Sequence, residues 1–257
     1  MIFEIKMKKI HSLLFFLLLF GVLKKNQAQV DSSDFIGFFH INTGYQLPLA
    51  DMKDRFGSNA IVGAGFTLKT KTNWTFDVSY NYMFGTTVKN EAQYLANILS
   101  NEGFIIDGNG EIAEIKMMER GWNAFVGAGK IFPVSARKRN SGIWIKGSIG
   151  LLEHKIMIHN PKNVTPQIKD DYKKGYDKLS NGLALNPFVG YVWLNKKQII
   201  NTYVGVEMIA AWTEGRRSYN FVEANQENEK RFDIVLGIKA GWIIPIYKRE
   251  PDPFYFK

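Results

Sequence analysis

The sequence of 257 residues predicts an all-β fold, an eight-stranded antiparallel up-and-down transmembrane β-barrel. Three observations predict it. Apolar and polar residues alternate with a period of two, the alternating segments number eight, and the connections between them are alternately short and long. Successive side chains of a strand point to opposite faces, so each segment has one apolar and one polar face. A ring of such strands turns its apolar faces toward lipid and its polar faces inward.

Residues 1–28 are interpreted as a secretory signal peptide that lies outside the fold. Basic residues precede an apolar run from Leu13 to Leu23, which is too short to span a bilayer as a helix, and Ala28 is a small residue at a plausible cleavage site. Its removal deletes five Lys and one Glu, a loss of four positive charges, so the net charge falls from +9 to +5. We therefore expect no nucleic-acid partner.

The eight predicted strands cover residues 34–45, 60–69, 74–84, 115–132, 142–158, 183–194, 199–212 and 231–246. Three connections are short, at 70–73, 133–141 and 195–198, whereas those at 46–59, 85–114, 159–182 and 213–230 are long. Short turns of such barrels face the periplasm, and an even number of strands returns the chain to its starting side. We expect a barrel over residues 29–246, a periplasmic tail over 247–257, and both chain ends in the periplasm.

A soluble eight-stranded barrel is the rival interpretation, and it would turn the apolar faces inward. The glycines of the polar faces argue against it, because glycine on a solvated strand weakens the strand without benefit. Inside a narrow barrel, glycine makes room for large inward side chains such as Phe125, Trp144 and Tyr203. The apolar faces also carry aromatic residues near the strand ends, which is typical of the girdles at a membrane interface.

Two segments resemble a known family. They are the final strand, Lys239-Ala-Gly241-Trp-Ile-Ile244, and the segment Asn186-Pro-Phe-Val-Gly190-Tyr. With the strand pattern, they are similar to the small eight-stranded barrels of the OmpA/OmpX type, in the outer-membrane β-barrel superfamily. The resemblance covers nearly all of the mature chain. It implies a location in the outer membrane of a Gram-negative bacterium, but the fold alone does not settle the activity.

Five charged residues are predicted to face the interior: Asp77, Lys146, Glu207, Asp233 and Lys239. Isolated charges in a membrane-embedded interior are costly, so we expect the two lysines to contact the carboxylates. One interpretation is packing that fixes the strand register, and the other is a path for protons or ions. The inward aromatic residues argue against a continuous column of water.

Two basic features are candidate contacts for outer-membrane lipids or for a protein partner. The short turns are basic, and Arg137, Lys138 and Arg139 lie in the second of them. Such a ring suits anionic phospholipid headgroups or an acidic periplasmic partner. In the last long loop, Arg216 and Arg217 with Tyr219 would suit the phosphates of lipopolysaccharide or a protein, and the alternative is a solvated loop tip.

The loop 85–114 is predicted to hold a short amphipathic helix over residues 91–100, with Tyr94, Leu95, Ile98 and Leu99 near one face. That face needs cover, so we expect it either to cap the mouth of the barrel or to meet another protein. The loop is also acidic, with one Lys against five carboxylates between residues 86 and 114.

The search for catalytic residues is mostly negative. The sequence has no cysteine, and its mature part has three histidines, His40, His154 and His159. No metal-binding or phosphate-binding motif is present. We therefore expect no cofactor, no metal and no enzyme activity, and interpret the chain as a structural or partner-binding subunit of an outer-membrane complex, such as one for insertion or secretion. The alternatives are an enzyme that modifies lipid A or phospholipid at the rim, and a stand-alone adhesin or surface-protection barrel.

Overall fold

The structure is a computed structural model, and it describes residues 33–135, 138–162, 164–195 and 200–247. Each strand pairs antiparallel with the next, and pairing of the first with the eighth closes the barrel. The strands are β1 (Ile36–Leu49), β2 (Asn59–Lys69), β3 (Trp74–Gly85), β4 (Lys116–Pro133), β5 (Gly142–His159), β6 (Ser180–Trp193), β7 (Asn201–Gly215) and β8 (Lys230–Tyr247). The predicted signal peptide and residues 248–257 of the predicted tail lie outside the described residues.

Two short helices lie in the long loops, α1 (Ala50–Arg55) between β1 and β2, and α2 (Glu91–Tyr94) between β3 and β4. Short 3-10 helices lie at Ala96–Ile98, Pro166–Ile168 and Asp170–Gly175. In the part of the chain that the structure describes, no helix is both long enough and apolar enough to cross a membrane.

The predicted number, order and antiparallel pairing of the strands are confirmed. Strands β1 and β6 extend farther toward the long loops than predicted. Strand β1 continues through Pro48 to Leu49, because β8 extends far enough to pair Leu49 with Ile234. Strand β6 begins at Ser180, where Asn181 and Gly182 have low β-propensity but pair with Glu214 and Thr213 of β7. In both cases a long neighbouring strand overrides the local sequence.

The outer wall is apolar, as predicted. On β3, the side chains of Phe76, Val78 and Tyr80 are each 52% exposed, whereas Asp77 between them is 6% exposed. On β8, Ile238 faces outward and Lys239 faces inward. A water-soluble barrel would show the reverse arrangement, so the soluble interpretation does not fit the structure.

Glycine makes room for the large inward side chains. A Cβ atom on Gly241 would overlap the ring of Tyr203, and one on Gly150 would lie 2.7 Å from Cδ1 of Phe125. The glycines of the inward faces therefore accommodate rings from neighbouring strands, as the sequence predicts.

The apolar interior has two clusters, one at each end of the barrel. The inner cluster, at the short-turn end, consists of Ile36, Phe38, Ile131, Trp144, Phe188, Val192, Leu194, Tyr203 and Ile243. The outer cluster, at the long-loop end, combines strand residues such as Ile61, Met83 and Leu152 with loop residues such as Met52, Phe56, Leu95, Ile105, Ile168 and Tyr176. Strand residues, together with Leu194 directly after β6, fill the inner end, whereas strands and loops together fill the outer end.

Candidate functional site

Two buried ion pairs cross the middle of the interior. Lys146 Nζ donates a hydrogen bond to Asp77 Oδ2 at 2.9 Å. Lys239 Nζ lies 2.5 Å from Glu207 Oε2. The amides of Gln46 and Asn186 donate to the two oxygens of Glu207 at 3.0 and 3.1 Å. The charges are thus paired and hydrogen-bonded, as a desolvated carboxylate requires.

Four aromatic rings lie against these pairs at the inner end. Trp144 meets the rings of Phe38, Phe188 and Tyr203 edge-on, with centroid distances of 6.2, 5.6 and 5.4 Å. The Trp144 indole N–H donates to Thr75 Oγ1 at 3.0 Å, so the buried polar atom of the ring is satisfied. Lys146 Nζ lies 4.9 Å from the Trp144 ring centroid. Side chains therefore fill the interior at this level, as expected for eight strands.

Asp233 belongs to a separate group nearer the outer end. Its Oδ1 lies 2.5 Å from Arg55, and its Oδ2 lies 2.9 Å from His154 Nε2 and 2.6 Å from Thr213 Oγ1. Neither Lys146 nor Lys239 contacts it. We call Asp233, Arg55, His154 and Thr213 the Asp233 group.

Arg55 of α1 supplies the cation of this group, and the sequence analysis missed it. Met52 and Phe56 flank it and are 0% and 1% exposed, and the Phe56 ring centroid lies 5.5 Å from that of His154. The first long loop therefore folds inward and closes the outer end. The signal available in the sequence is the i, i+4 pair Met52 and Phe56 inside an otherwise polar loop.

The predicted helix over residues 91–100 is shorter than expected. It ends at Tyr94, and Leu95 has φ −123°, which interrupts the helix before the 3-10 turn of residues 96–98. The interruption turns Leu95 inward, where it is 5% exposed, while Tyr94, Ile98 and Leu99 pack against the outer cluster. This segment caps the mouth of the barrel, one of the two arrangements that the sequence allowed.

The next part of the same loop forms a hairpin, residues 104–113, here called the outer hairpin. Ile106 pairs with Ile112, and Ala113 N–H donates to the carbonyl oxygen of Ile105 at 2.8 Å. Asp107 Oδ1 accepts hydrogen bonds from the N–H groups of Asn109 and Glu111, and Gly110 supplies the φ of +83° that the turn needs. The turn is therefore locally well determined.

The outer hairpin has one buried and one exposed face. Ile105 is 6% exposed and belongs to the outer cluster, whereas Phe104, Ile106 and Ile112 are 46%, 43% and 60% exposed. An apolar cleft of about 240 Å³ lies between the hairpin and the 91–99 segment, with Leu95, Leu99, Phe104 and Ile112 among its lining residues. This is an exposed apolar surface on a folded loop.

The candidate residues of the last long loop make internal contacts. Arg217 pairs with both carboxylate oxygens of Asp177, and these hydrogen bonds raise the pKa of Arg217. Arg216 Nε donates to Asn181 Oδ1 at 2.7 Å, and its guanidinium lies 3.3 Å from Glu214. Tyr219 is 48% exposed and lies edge-on to Phe221. The two arginines therefore link two long loops and the strand ends.

The structure describes only part of the basic ring at the short turns. Arg137 lies outside the described residues, and Lys138 is exposed beside Arg139. Lys69, at the end of β2 beside the first short turn, is 0% exposed. Its Nζ donates to Ser33 Oγ, to the Asp34 carbonyl oxygen and to Asn140 Oδ1 at 2.9–3.1 Å. Lys69 therefore joins the start of the described chain to the second short turn and takes no part in a surface ring.

The position of His154 argues against a hydrolase site at the lipid-facing rim. His154 lies opposite Ser180 in the β5–β6 pairing and contacts Asp233, which brings together the residue types of a catalytic triad. All three side chains are 0% exposed, and Ser180 Oγ accepts a hydrogen bond from Arg231 at 2.9 Å. Within the described residues no hydrogen bond joins Ser180 to His154, and the group faces the interior and not the lipid.

These features define the class. A closed ring of eight antiparallel strands, apolar outside and polar and aromatic inside, is a transmembrane β-barrel of the outer-membrane type.

Comparisons with known proteins give a consistent but distant likeness. Ail, the attachment invasion locus protein of Yersinia pestis, crystallised with the heparin analogue sucrose octasulfate, is 7% identical with a TM-score of 0.40, over 82% of this chain and 100% of that one. Neisserial surface protein A is 9% identical with a TM-score of 0.41, over 81% and 96% of the two chains.

The N-terminal barrel domain of Pseudomonas aeruginosa OprF is 10% identical with a TM-score of 0.37, over 82% of this chain and 100% of that one. No protein-family profile and no curated protein matches the chain. At these values the likeness carries no argument about function. The class assignment rests on the ring closure and the apolar wall of the chain itself.

Proposed function

We propose that this protein is a closed, non-enzymatic outer-membrane barrel of a Gram-negative bacterium that serves as a partner-binding subunit of a larger envelope complex. Its long loops face outward, and both chain ends face the periplasm. The observation that carries the proposal is the outer hairpin, where Phe104, Ile106 and Ile112 are exposed on a loop whose other face is fixed to the barrel.

The construction of the hairpin favours a protein partner. Backbone hydrogen bonds and the Asp107 turn fix the hairpin before any partner arrives, which lowers the entropy lost on binding. An exposed apolar cluster beyond the membrane, rimmed by polar residues, is typical of an interaction site. The outer hairpin therefore presents a preformed surface.

Charges around the hairpin define the partner further. Glu91, Glu102, Glu111 and Glu114 are exposed around it. Surface lysines lie 3.3 Å from Glu111 and Glu114, but such exposed pairs contribute little. Within the described residues Glu91 and Glu102 have no ion-pair partner. An anionic lipid surface would be repelled, so the partner expected here is a protein segment with apolar side chains flanked by basic ones.

The experiment is a pull-down in mild detergent with mass spectrometry, using the full chain in its native envelope. We expect a stoichiometric partner with the wild-type chain and loss of that partner with Ile106→Ser and Ile112→Ser together. The matched control is Val134→Ser at the opposite end of the barrel, where Val134 is 66% exposed. Recovery of the wild-type chain as a lone barrel would contradict the proposal.

The two alternatives give different results in further assays. An enzyme would change the lipid A or phospholipid composition of a deletion strain, and His154→Gln would reproduce that change. An adhesin would bind host surfaces through the same hairpin but would yield no partner from the bacterium's own envelope. The buried position of His154 argues against the enzyme. It does not distinguish the adhesin from the partner-binding subunit.

A further inference from the structure

The pairing of β6, β7 and β8 places two contrasting rows of side chains at the outer end of the wall. Leu183 pairs with Trp212, and Trp212 pairs with Phe232, which forms an apolar row across three strands. These side chains are 61%, 55% and 38% exposed. A three-strand row is roughly 10 Å wide, because neighbouring strands lie about 4.8 Å apart.

A polar row lies two residues farther out on the same strands. Asn181 pairs with Glu214, and Glu214 pairs with Lys230. Arg216 spans this row through hydrogen bonds to Asn181 at 2.7 Å and to Glu214 at 3.3 Å. The change from apolar to polar marks the level of the lipid headgroups, and the indole of Trp212 lies at that boundary, where tryptophan is enriched.

An open cleft of about 620 Å³ covers both rows, and its lining includes Leu183, Trp212, Phe232, Arg216 and Lys230. The cleft therefore has an apolar floor on the lipid-facing wall and a charged upper edge. A molecule that fills both parts must carry an apolar chain and a polar head.

The upper edge of the cleft carries cationic donors that can bind an anion. The two carboxylates there already accept bonds from the protein: Asp51 Oδ2 accepts the Phe232 N–H at 2.7 Å, and Glu214 accepts from Arg216. Lys230 is exposed and has no partner within the described residues. Each carboxylate keeps one oxygen outside these bonds, and the remaining donors are the ammonium of Lys230 and the other N–H groups of Arg216, which suit a phosphate.

We propose that this cleft binds lipid A, with acyl chains on Leu183, Trp212 and Phe232 and a phosphate held by Lys230 and Arg216. The choice of lipid A rests on the proposed orientation, because the long-loop end then lies in the outer leaflet. The site is separate from the outer hairpin, so the two proposals use different residues.

The test is a native mass spectrometry titration of the full chain in a neutral detergent, with lipid A, dephosphorylated lipid A and phosphatidylglycerol as probes. We expect lipid A to bind more tightly than both other lipids. Lys230→Gln should weaken lipid A binding about fivefold, and Lys230→Gln with Arg216→Gln about tenfold or more. Lys155→Gln, which removes an exposed outward cation of β5 outside the cleft, should leave binding unchanged.

Heat-dependent gel migration of each variant verifies the folded barrel, and the Lys230→Gln variant leaves the Arg216 contacts intact. Equal binding of dephosphorylated lipid A, or equal weakening by Lys155→Gln, overturns the site. Preference for phosphatidylglycerol over lipid A overturns the lipid A assignment. Loss of the protein partner in the hairpin variants leaves lipid A binding unaffected, so the two proposals fail separately.

Discussion

The inner and outer halves of the barrel are closed by different means. In the inner half, the strands and the adjoining Leu194 fill the interior, with Trp144 at the centre of an aromatic group and Lys146 paired with Asp77 beside it. In the outer half, the loop residues Met52, Arg55 and Phe56 enter the interior and complete its packing. The inner closure is thus part of the wall, whereas the outer closure depends on a loop that packs into it.

This difference matters for stability, because the two halves relax differently after a substitution. A strand side chain removed from the inner half leaves a cavity that neighbouring strands cannot collapse into without breaking their ladders. A contact removed from the outer half can be relieved by release of α1 into water. Matched substitutions in the two halves therefore test the contrast.

The largest effect is expected from Trp144→Ala in the inner half. The substitution removes a 0% exposed ring that contacts three other rings, and it leaves Thr75 without its hydrogen-bond donor. The free energy of unfolding should fall by about 3–5 kcal/mol. Urea unfolding in detergent micelles, followed by gel migration, measures the change. A fall below about 1 kcal/mol would show that the inner half is not tightly packed.

A somewhat smaller effect is expected from Asp233→Ala in the outer half. The substitution leaves Arg55 buried without its carboxylate, an arrangement that costs about 3–5 kcal/mol when no relaxation occurs. Release of α1 into water relieves part of this cost, so the fall in unfolding free energy should be smaller than for Trp144→Ala. Limited proteolysis should cut near Lys53 in the variant and not in the wild type. Equal resistance of the two proteins would mean that α1 is held without Arg55.

Replacement of both residues of a buried ion pair separates the net contribution of the pair from the cost of leaving one charge unpaired. Lys146→Met with Asp77→Leu removes both partners of the inner pair and keeps apolar volume, so the unfolding free energy should change by only about 1 kcal/mol. Either substitution alone should cost several times more, because it leaves a buried charge. A double-mutant cycle measures the coupling. Additive effects of the two substitutions would indicate that the pair is not desolvated.

The smallest effect is expected in the loops beyond the barrel. Arg217→Ala removes the pair with Asp177; the Arg217 side chain is partly exposed and the buried Asp177 keeps the hydrogen bond from the Leu179 N–H, so the stability loss should be about 1 kcal/mol. The pair raises the pKa of Arg217, so Arg217 stays charged through neutral and mildly alkaline pH, and its contribution should be lost only as the pH rises through that raised pKa. Thermal unfolding at neutral and mildly alkaline pH, compared with the Arg216→Ala control, measures this. A stability difference that disappears already at mildly alkaline pH would contradict the assignment.

The wall of this protein could be predicted from its sequence, and the outer closure could not. Alternation of period two is a local signal, and it places Val78 outside and Asp77 inside without knowledge of other strands. The position of Asp233 on the inward face was equally readable. Its partner Arg55 was not, because it comes from a loop 178 residues away in the chain whose path depends on the shape of the mouth.

The helix of the second long loop illustrates the same limit. Its apolar spacing predicted a continuous helix over residues 91–100, but Leu95 leaves the helical conformation to reach the outer cluster. Burial of one leucine in the mouth outweighs the continuation of a short helix, since short helices are marginal without packing.

The placement of the wall in hydrocarbon is tested most directly by spin labels along β3. The chain has no cysteine, so single cysteines introduced at Phe76, Val78 and Tyr80, and at Asp77, Ser79 and Asn81, label one site each. In lipid bilayers, collisions with oxygen should be frequent at the first three positions and rare at the other three, and a water-soluble nickel reagent should reach neither set. Frequent collisions with the nickel reagent at Phe76, Val78 and Tyr80 would show that water covers this wall, and would contradict a transmembrane barrel.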